Sequence, residues 1–274
     1  MTRAATPSRK QYPYGPWAIV TGASDGIGRE FACRLAERGV NVVLAARRES
    51  VLMELADELS RTHGIQTRVV AGDLATPTGI AELLRVTADL DAGLLVEAAG
   101  FGTSGAFLDL PLTAELAMVD VNCRAVVELA HGFAHRFERR GRGGIVLMSS
   151  LLAFQGVPRA ATYAASKAFV QSFAEGLRIE LAAKGIDVIA SAPGPIHSGF
   201  ASRAAMTMGL AQTPRHVAGA TLDALGKRTT IRPGWLSKFL EASLAMLPRG
   251  GRVRVMKRVM AKMTNKPAGQ LPAP

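Results

Sequence analysis

No apolar run in this chain approaches the ~18 residues that a membrane-spanning helix needs, so nothing in it reads as a transmembrane segment. Its first sixteen residues, MTRAATPSRKQYPYGP, lack the apolar core of a secretory leader. The expected compartment is therefore the reducing cytoplasm. Cysteine is nearly absent. Cys33 and Cys123 fall in segments with helical patterning, which suits two small core residues rather than a disulfide, and they give no metal-ligand spacing. Internal repeats and low-complexity linkers are missing too, which excludes solenoids and beaded arrays. Acids are missing from both ends. Before Asp25 stand Arg3, Arg9 and Lys10 without a carboxylate, and from Arg249 onward stand Arg249, Arg252, Arg254, Lys257, Arg258, Lys262 and Lys266, again without one. Taking those 3 and 7 cations from the net charge of +11 leaves +1 for the body. A folded nucleic-acid-binding face needs its cations on the domain itself, so no nucleic-acid partner is expected.

What is present is a chain of 274 residues, 48% hydrophobic and 20% charged, enough for one large α/β domain. WAIVTGAS, NVVLAA, QTRVVAGDL, GLLVEAAG, GGIVLMSS and IDVIASAPG read as six strands, apolar throughout. Between them lie segments with helical periodicity, including a long helix over about 113–139 and another over about 162–184. Strict alternation of helices with fully apolar strands indicates a parallel sheet covered on both faces.

The first strand runs into Thr21-Gly22-Ala23-Ser24-Asp25-Gly26-Ile27-Gly28 and then into a helix. Glycines at that junction permit a tight turn and the close approach of a pyrophosphate to a helix N-terminus, so a dinucleotide site is expected there. Strand two ends at Ala46 and continues as Arg47-Arg48. The carboxylate that would hold a ribose 2′-hydroxyl is absent. A guanidinium binds a 2′-phosphate bidentately, which favours NADP over NAD, and Ser24 can add a hydroxyl. Further on, ATYAASKAFV sets Tyr163 four residues before Lys167, on one helix face. The pair is either a packing contact or a proton donor tuned by an ammonium.

The Gly-rich loop, Asn122 in the long helix, Ser150 at the end of strand five and Tyr163-x-x-x-Lys167 come in that order. Over about residues 15–200 the chain resembles the classical short-chain dehydrogenase/reductase family. The resemblance implies a Rossmann-type doubly wound parallel sheet, an NADP(H)-dependent oxidoreductase acting on CH–OH groups, and a homodimer or homotetramer. By resemblance, Ser150, thirteen residues before Tyr163, holds the substrate oxygen, and Tyr163 is the general acid in reduction. Lys167 bonds the nicotinamide ribose and lowers the Tyr163 pKa together with the oxidised ring. Asn122 supports a water relay to Lys167; alternatively it is a polar residue disturbing a helix. Asp73, followed by Leu74, matches an adenine contact or else caps a helix. Ala99 and Gly100 let the backbone approach the cofactor. Pro193, Gly194, Ile196 and Ser198 match the loop that fixes the nicotinamide amide, with Ser198 where the family has Thr and His197 a loop residue. One departure stands out. Glu97-Ala98-Ala99-Gly100 occupies the place of the family's Asn-Asn-Ala-Gly, and Glu97 is expected to face solvent or to pair with a cation, because a buried unpaired carboxylate is costly.

Leu151, Leu152, Phe154, Phe200, Met206 and Met208 give the site an apolar surround, with 198–212 as a lid, so the expected substrate is a lipophilic ketone, aldehyde or 3-oxoacyl compound. Thr213-Pro214 reads as an N-cap and first-turn proline. The organisation read from the sequence is a flexible N-terminus over 1–14, a catalytic domain over 15–234 and a basic amphipathic extension over 235–274. In that extension a helix carries Trp235, Phe239, Leu240 and Leu247. A second sets Met256, Val259, Met260 and Met263 at i, i+3, i+4 and i+7 opposite its cations. That second helix suits an anionic lipid surface, giving a membrane-associated protein, or a dock on its own domain or on a partner subunit. The alternative function is an NADP-binding regulatory or scaffold protein without turnover, which would have no use for Tyr163.

Overall fold

The computed structural model describes residues 12–196 and 212–264. His197, Ser198, Phe200, Met206, Met208 and Lys266, and the side chains of Phe239 and Leu240, lie outside the described residues. Seven strands form one parallel sheet in the order β3-β2-β1-β4-β5-β6-β7. Strand β1 (Trp17–Thr21) is central, between β2 (Asn41–Ala46) and β4 (Ala92–Glu97). Strand β3 (Thr67–Ala71) closes one side, and β5 (Gly143–Met148), β6 (Ile186–Ser191) and β7 (Thr230–Ile231) extend the other. The crossover between β3 and β4 returns to the far side of β1, which opens a crevice at the carboxyl ends of the strands.

Successive side chains on a strand point to opposite faces, and both faces here are apolar. Val20, Leu44, Val96 and Val146 pack with Phe31 and Leu35 of α1 (Gly26–Glu37) and Leu52 of α2 (Glu49–His63). Ile19, Val43, Leu95 and Leu147 pack with Ile80 of α3 (Pro77–Val86), Phe133 of α5 (Ala125–Arg140) and Val170 of α6 (Ala161–Ala182). Phe31 and Phe133 are fully buried, each contributing roughly 1.5–3 kcal/mol of apolar transfer. Polar caps set the helix starts. The Asp25 carboxylate accepts from Gly26 N at 2.7 Å at α1, and Thr76 caps α3 by accepting from Gly79 N. Thr213 caps α7 (Pro214–Ala224), with Pro214 in the first turn as the sequence implied.

Four features differ from the sequence reading. The long helix is interrupted: α4 (Leu112–Val119) passes through a π-helical turn (Asp120–Arg124) into α5. A seventh strand of two residues exists, too short to leave a periodic pattern. Tyr14, assigned to the N-terminal extension, is buried in the core and donates to Asp187 Oδ2 at 2.9 Å. Asp73 does not cap a helix; it accepts from Ala75 N in a local turn while Thr76 takes the cap. Two further helices, α8 (Trp235–Ala245) and α9 (Arg249–Met263), follow β7.

Candidate active site

A cleft of about 1370 Å³ opens at the carboxyl edge of the sheet. One half is lined by the loop after β1, the start of α2 and the loop after β3. Ser24, Asp25, Arg47, Arg48, Asp73 and Leu74 all reach it, and so do Gly22, Gly26, Ile27 and Gly28. The turn is built so tightly that only glycine fits. Gly22 has φ +67°, and a Cβ on Gly28 would stand 2.2 Å from the Gly22 carbonyl oxygen. Arg48 crosses from the start of α2 to donate to the Ser24 carbonyl at 3.0 Å and to its hydroxyl at 3.1 Å. Two guanidiniums and a hydroxyl therefore gather at the end of β2, where no carboxylate stands. This donor set and this cradle fit a dinucleotide with an additional phosphate.

The other half holds the reacting candidates, delivered by separate elements. Ser150 begins the short 3-10 turn after β5, and its hydroxyl accepts from Leu152 N at 3.2 Å. Ser149 points elsewhere: its hydroxyl donates to the Lys167 carbonyl inside α6. Tyr163 is buried on α6 and hydrogen-bonded to the Ser150 hydroxyl. Burial pushes its phenol up to about 12, with the Ser150 contact opposing. One turn on, Lys167 Nζ donates to the Met148 carbonyl at 2.9 Å and lies 5.8 Å from the Tyr163 ring centre. The Lys167 ammonium is turned to the Met148 carbonyl, and burial pulls it down to about 8. Asn122 sits in the π-helical turn, fully buried. Its amide donates to the Phe101 carbonyl and the Ser166 hydroxyl, and its oxygen accepts from Phe101 N. Asn122 thus does disturb the helix, which opens into a π-helical turn around it. Ala99, Gly100, Pro193, Gly194 and Ile196 line the floor, and Gly194 N donates to Ser237 Oγ of α8 at 3.0 Å.

Glu97 does not face solvent. It is 3% exposed, and its Oε1 has no hydrogen-bond partner among the described residues. Burial holds its carboxyl well above the usual carboxylate range, and the Lys167 charge opposes that rise.

The basic extension lines part of the cleft. Met256 and Met260 of α9 are buried against Met118, Val157, Ala160 and Tyr163. With Val255, Val259, Met263 and Arg252 they line the same cleft as Leu151, Leu152 and Phe154. Of the apolar stripe, Met256 and Met260 are turned inward and Val259 is exposed, while Arg254, Lys257 and Arg258 are turned to solvent. Its periodicity was visible in the sequence. Its target was not, because the contact joins residues about ninety positions apart. Among the described residues no helix is long and apolar enough to cross a membrane, and no cluster of His, Cys, Asp or Glu could hold a metal.

Residues 16–208 match the family described as short chain dehydrogenase. A 7beta-hydroxysteroid dehydrogenase of Mediterraneibacter gnavus is 29% identical over 238 residues, 82% of this chain and 88% of that protein. A very-long-chain 3-oxoacyl-CoA reductase of Pyricularia oryzae is 35% identical over 237 residues, 83% of this chain and 71% of the relative. Among solved structures, a short-chain dehydrogenase of Sphingobium yanoikuyae in complex with NADPH superposes with a TM-score of 0.76 at 29% identity. That match covers 84% of this chain and 93% of that one.

Proposed function

Since the chain belongs to the short-chain dehydrogenase family, we propose that this oxidoreductase uses NADP(H) to interconvert a carbonyl and an alcohol. Its substrate in this reading is a bulky lipophilic ketone, aldehyde or 3-oxoacyl compound. The observation that carries the reading is the convergence of Tyr163, Ser150 and Lys167 on one cleft lined by methionine and leucine side chains, with Asn122 buried behind Phe101. When bound, NADPH supplies hydride to the carbonyl carbon. Ser150 Oγ donates a hydrogen bond that fixes the carbonyl oxygen beside Tyr163. Tyr163 Oη then gives its proton to that oxygen as negative charge develops there. A phenol kept in its hydroxyl form by burial suits this direction. Lys167 presents a cation under the phenol and stabilises the phenolate left behind. Asn122 holds the Phe101 backbone and Ser166, so the floor is rigid.

Arg47, Arg48 and Ser24 favour NADP over NAD by the missing carboxylate at Ala46. The NADPH complex of the Sphingobium yanoikuyae protein supports the same choice. The apolar wall supports a lipophilic substrate, and the steroid- and acyl-directed relatives point the same way. Leu108, Leu112 and Leu116, exposed along the approach to α4 and on it, support a homo-oligomer that covers them. Burial of Met256 and Met260 leaves α9 with cations but a depleted apolar face outward, so membrane-surface contact is the weaker use of that helix.

The test is loss of NADPH absorbance, with NADH in parallel, against medium- and long-chain ketones, aldehydes, 3-oxoacyl thioesters and ketosteroids. NADPH oxidation on at least one bulky class, at least ~10-fold faster than NADH, is the expected result. Equal or better use of NADH would overturn the reading of the two arginines. Binding of NADPH with no turnover on any class would favour a binding protein that keeps the fold without the reaction.

A further inference from the structure

Glu97 ends β4, with Cα partners Thr21 on β1 and Leu147 on β5. Leu95, two residues earlier, packs with Leu147 and Val170, so alternation turns Glu97 to the face covered by α5 and α6. Lys167 comes from α6, and its Nζ donates to the Met148 carbonyl at 2.9 Å, one residue beyond the Leu147 that pairs with Glu97. The neutral polar groups around it are already committed. Thr21 Oγ1 donates to the Val96 carbonyl and accepts from Ala99 N. Asn122 is engaged by Phe101 and Ser166, and Ser149 by the Lys167 carbonyl. Glu97 Oε1 is left without a hydrogen bond among the described residues. The groups that titrate around this pocket are Lys167 and Tyr163 from α6 and Cys123 from the π-helical turn. The neighbours from β1 and β5, namely Thr21, Leu147 and Met148, do not titrate. A buried carboxyl in such a place is stabilised only by its proton or by a cation.

We propose that Glu97 is a positioning residue acting through Lys167, its carboxyl serving as the counter-charge that holds the buried amine in its ammonium form during proton transfer at Tyr163. The inference rests on the reading of Lys167 as a site residue. Burial drives the Glu97 carboxyl up and the Lys167 ammonium down, while each opposes the shift of the other. Each charge therefore favours the charged form of the other. In this proposal the Glu97 carboxylate, once formed, retains the Lys167 ammonium. Without it, Lys167 follows burial alone and loses its proton at lower pH.

Two measurements on the full chain test this. The first needs neither cofactor nor substrate: thermal midpoints of wild type, Glu97→Gln and Glu97→Asp between about pH 5 and pH 8. An acid whose folded pKa lies above its unfolded value costs stability as pH climbs past the unfolded value. Glu97→Gln should therefore gain on wild type with rising pH, by roughly 2–4 °C near pH 8, and the gap should close toward pH 5. In a Lys167→Met background the gain should be larger, because the carboxylate has lost its cation. The second is the pH profile of kcat/KM for NADPH-dependent reduction of a ketosteroid or a 3-oxoacyl thioester. The alkaline limb of Glu97→Gln should fall by about one pH unit, and Glu97→Asp should restore it. A thermal gap independent of pH, or a Glu97→Gln profile superimposable on wild type, would overturn the proposal. If wild type turned over neither substrate, the reductase reading would be at fault, and the thermal series would still decide whether Glu97 and Lys167 are coupled.

Discussion

Ser149 and Ser150 are neighbours with opposite fates. One hydroxyl is spent on the α6 backbone, and the other stands beside Tyr163. The spacing to Tyr163 distinguishes them in the sequence, and the fold gives the reason. Removing the Ser150 hydroxyl (Ser150→Ala) should lower kcat by about 10²-fold, whereas Ser149→Ala should act mainly on stability, by about 0.5–1.5 kcal/mol for one lost hydrogen bond. Steady-state kinetics beside thermal melts separates the two. Arg47 and Arg48 stand out in the sequence because no acid follows β2, but the bond from Arg48 to Ser24 was not legible there. Replacing both by Ala should weaken NADPH binding about 10–100-fold while NADH changes little, measured by fluorescence titration. Glu97 was legible as a departure and not as a buried group, because strand alternation names a face without saying what covers it.

The elements that carry the site were found by periodicity, and the deviations came where periodicity is silent. The π-helical turn at Asp120–Arg124 adds one residue to a turn without altering the apolar pattern, yet it sets where Asn122 points. Helix α9 shows the limit more plainly. A methionine stripe opposite cations describes a lipid-surface helix and a docked helix equally well, and only the tertiary contact with Tyr163 and Met118 decides. Truncating Met256 or Met260 to Ala should cost about 2–5 kcal/mol of stability. It should also raise KM for a bulky ketone more than for a small one, since the same side chains wall the cleft. Changing exposed Lys257 or Arg258 to Ala should stay within about 0.5 kcal/mol.

At the scale of the whole molecule, the alternation of apolar strands with helices was enough to fix a parallel sheet covered on both faces. The order of the strands required the crossover after β3, which the family resemblance supplied and the pairing displays. The two halves of the cleft meet at that switch. The row of exposed leucines at 108, 112 and 116 belongs to this scale as well. Replacing Leu112 and Leu116 by Glu should reduce the mass seen by light scattering to that of a single chain; an unchanged mass would place the subunit contact elsewhere.

Tyr163 delivers the proton in the proposed NADPH-dependent reduction, and Tyr163→Phe tests this most directly. The change removes one buried hydroxyl and leaves the ring in the cluster with Met256 and Met260. With the best substrate of the carbonyl panel, NADPH affinity should stay within a few-fold of wild type while kcat falls by about 10²–10⁴-fold. A Tyr163→Phe protein that oxidised NADPH at the wild-type rate would contradict the account.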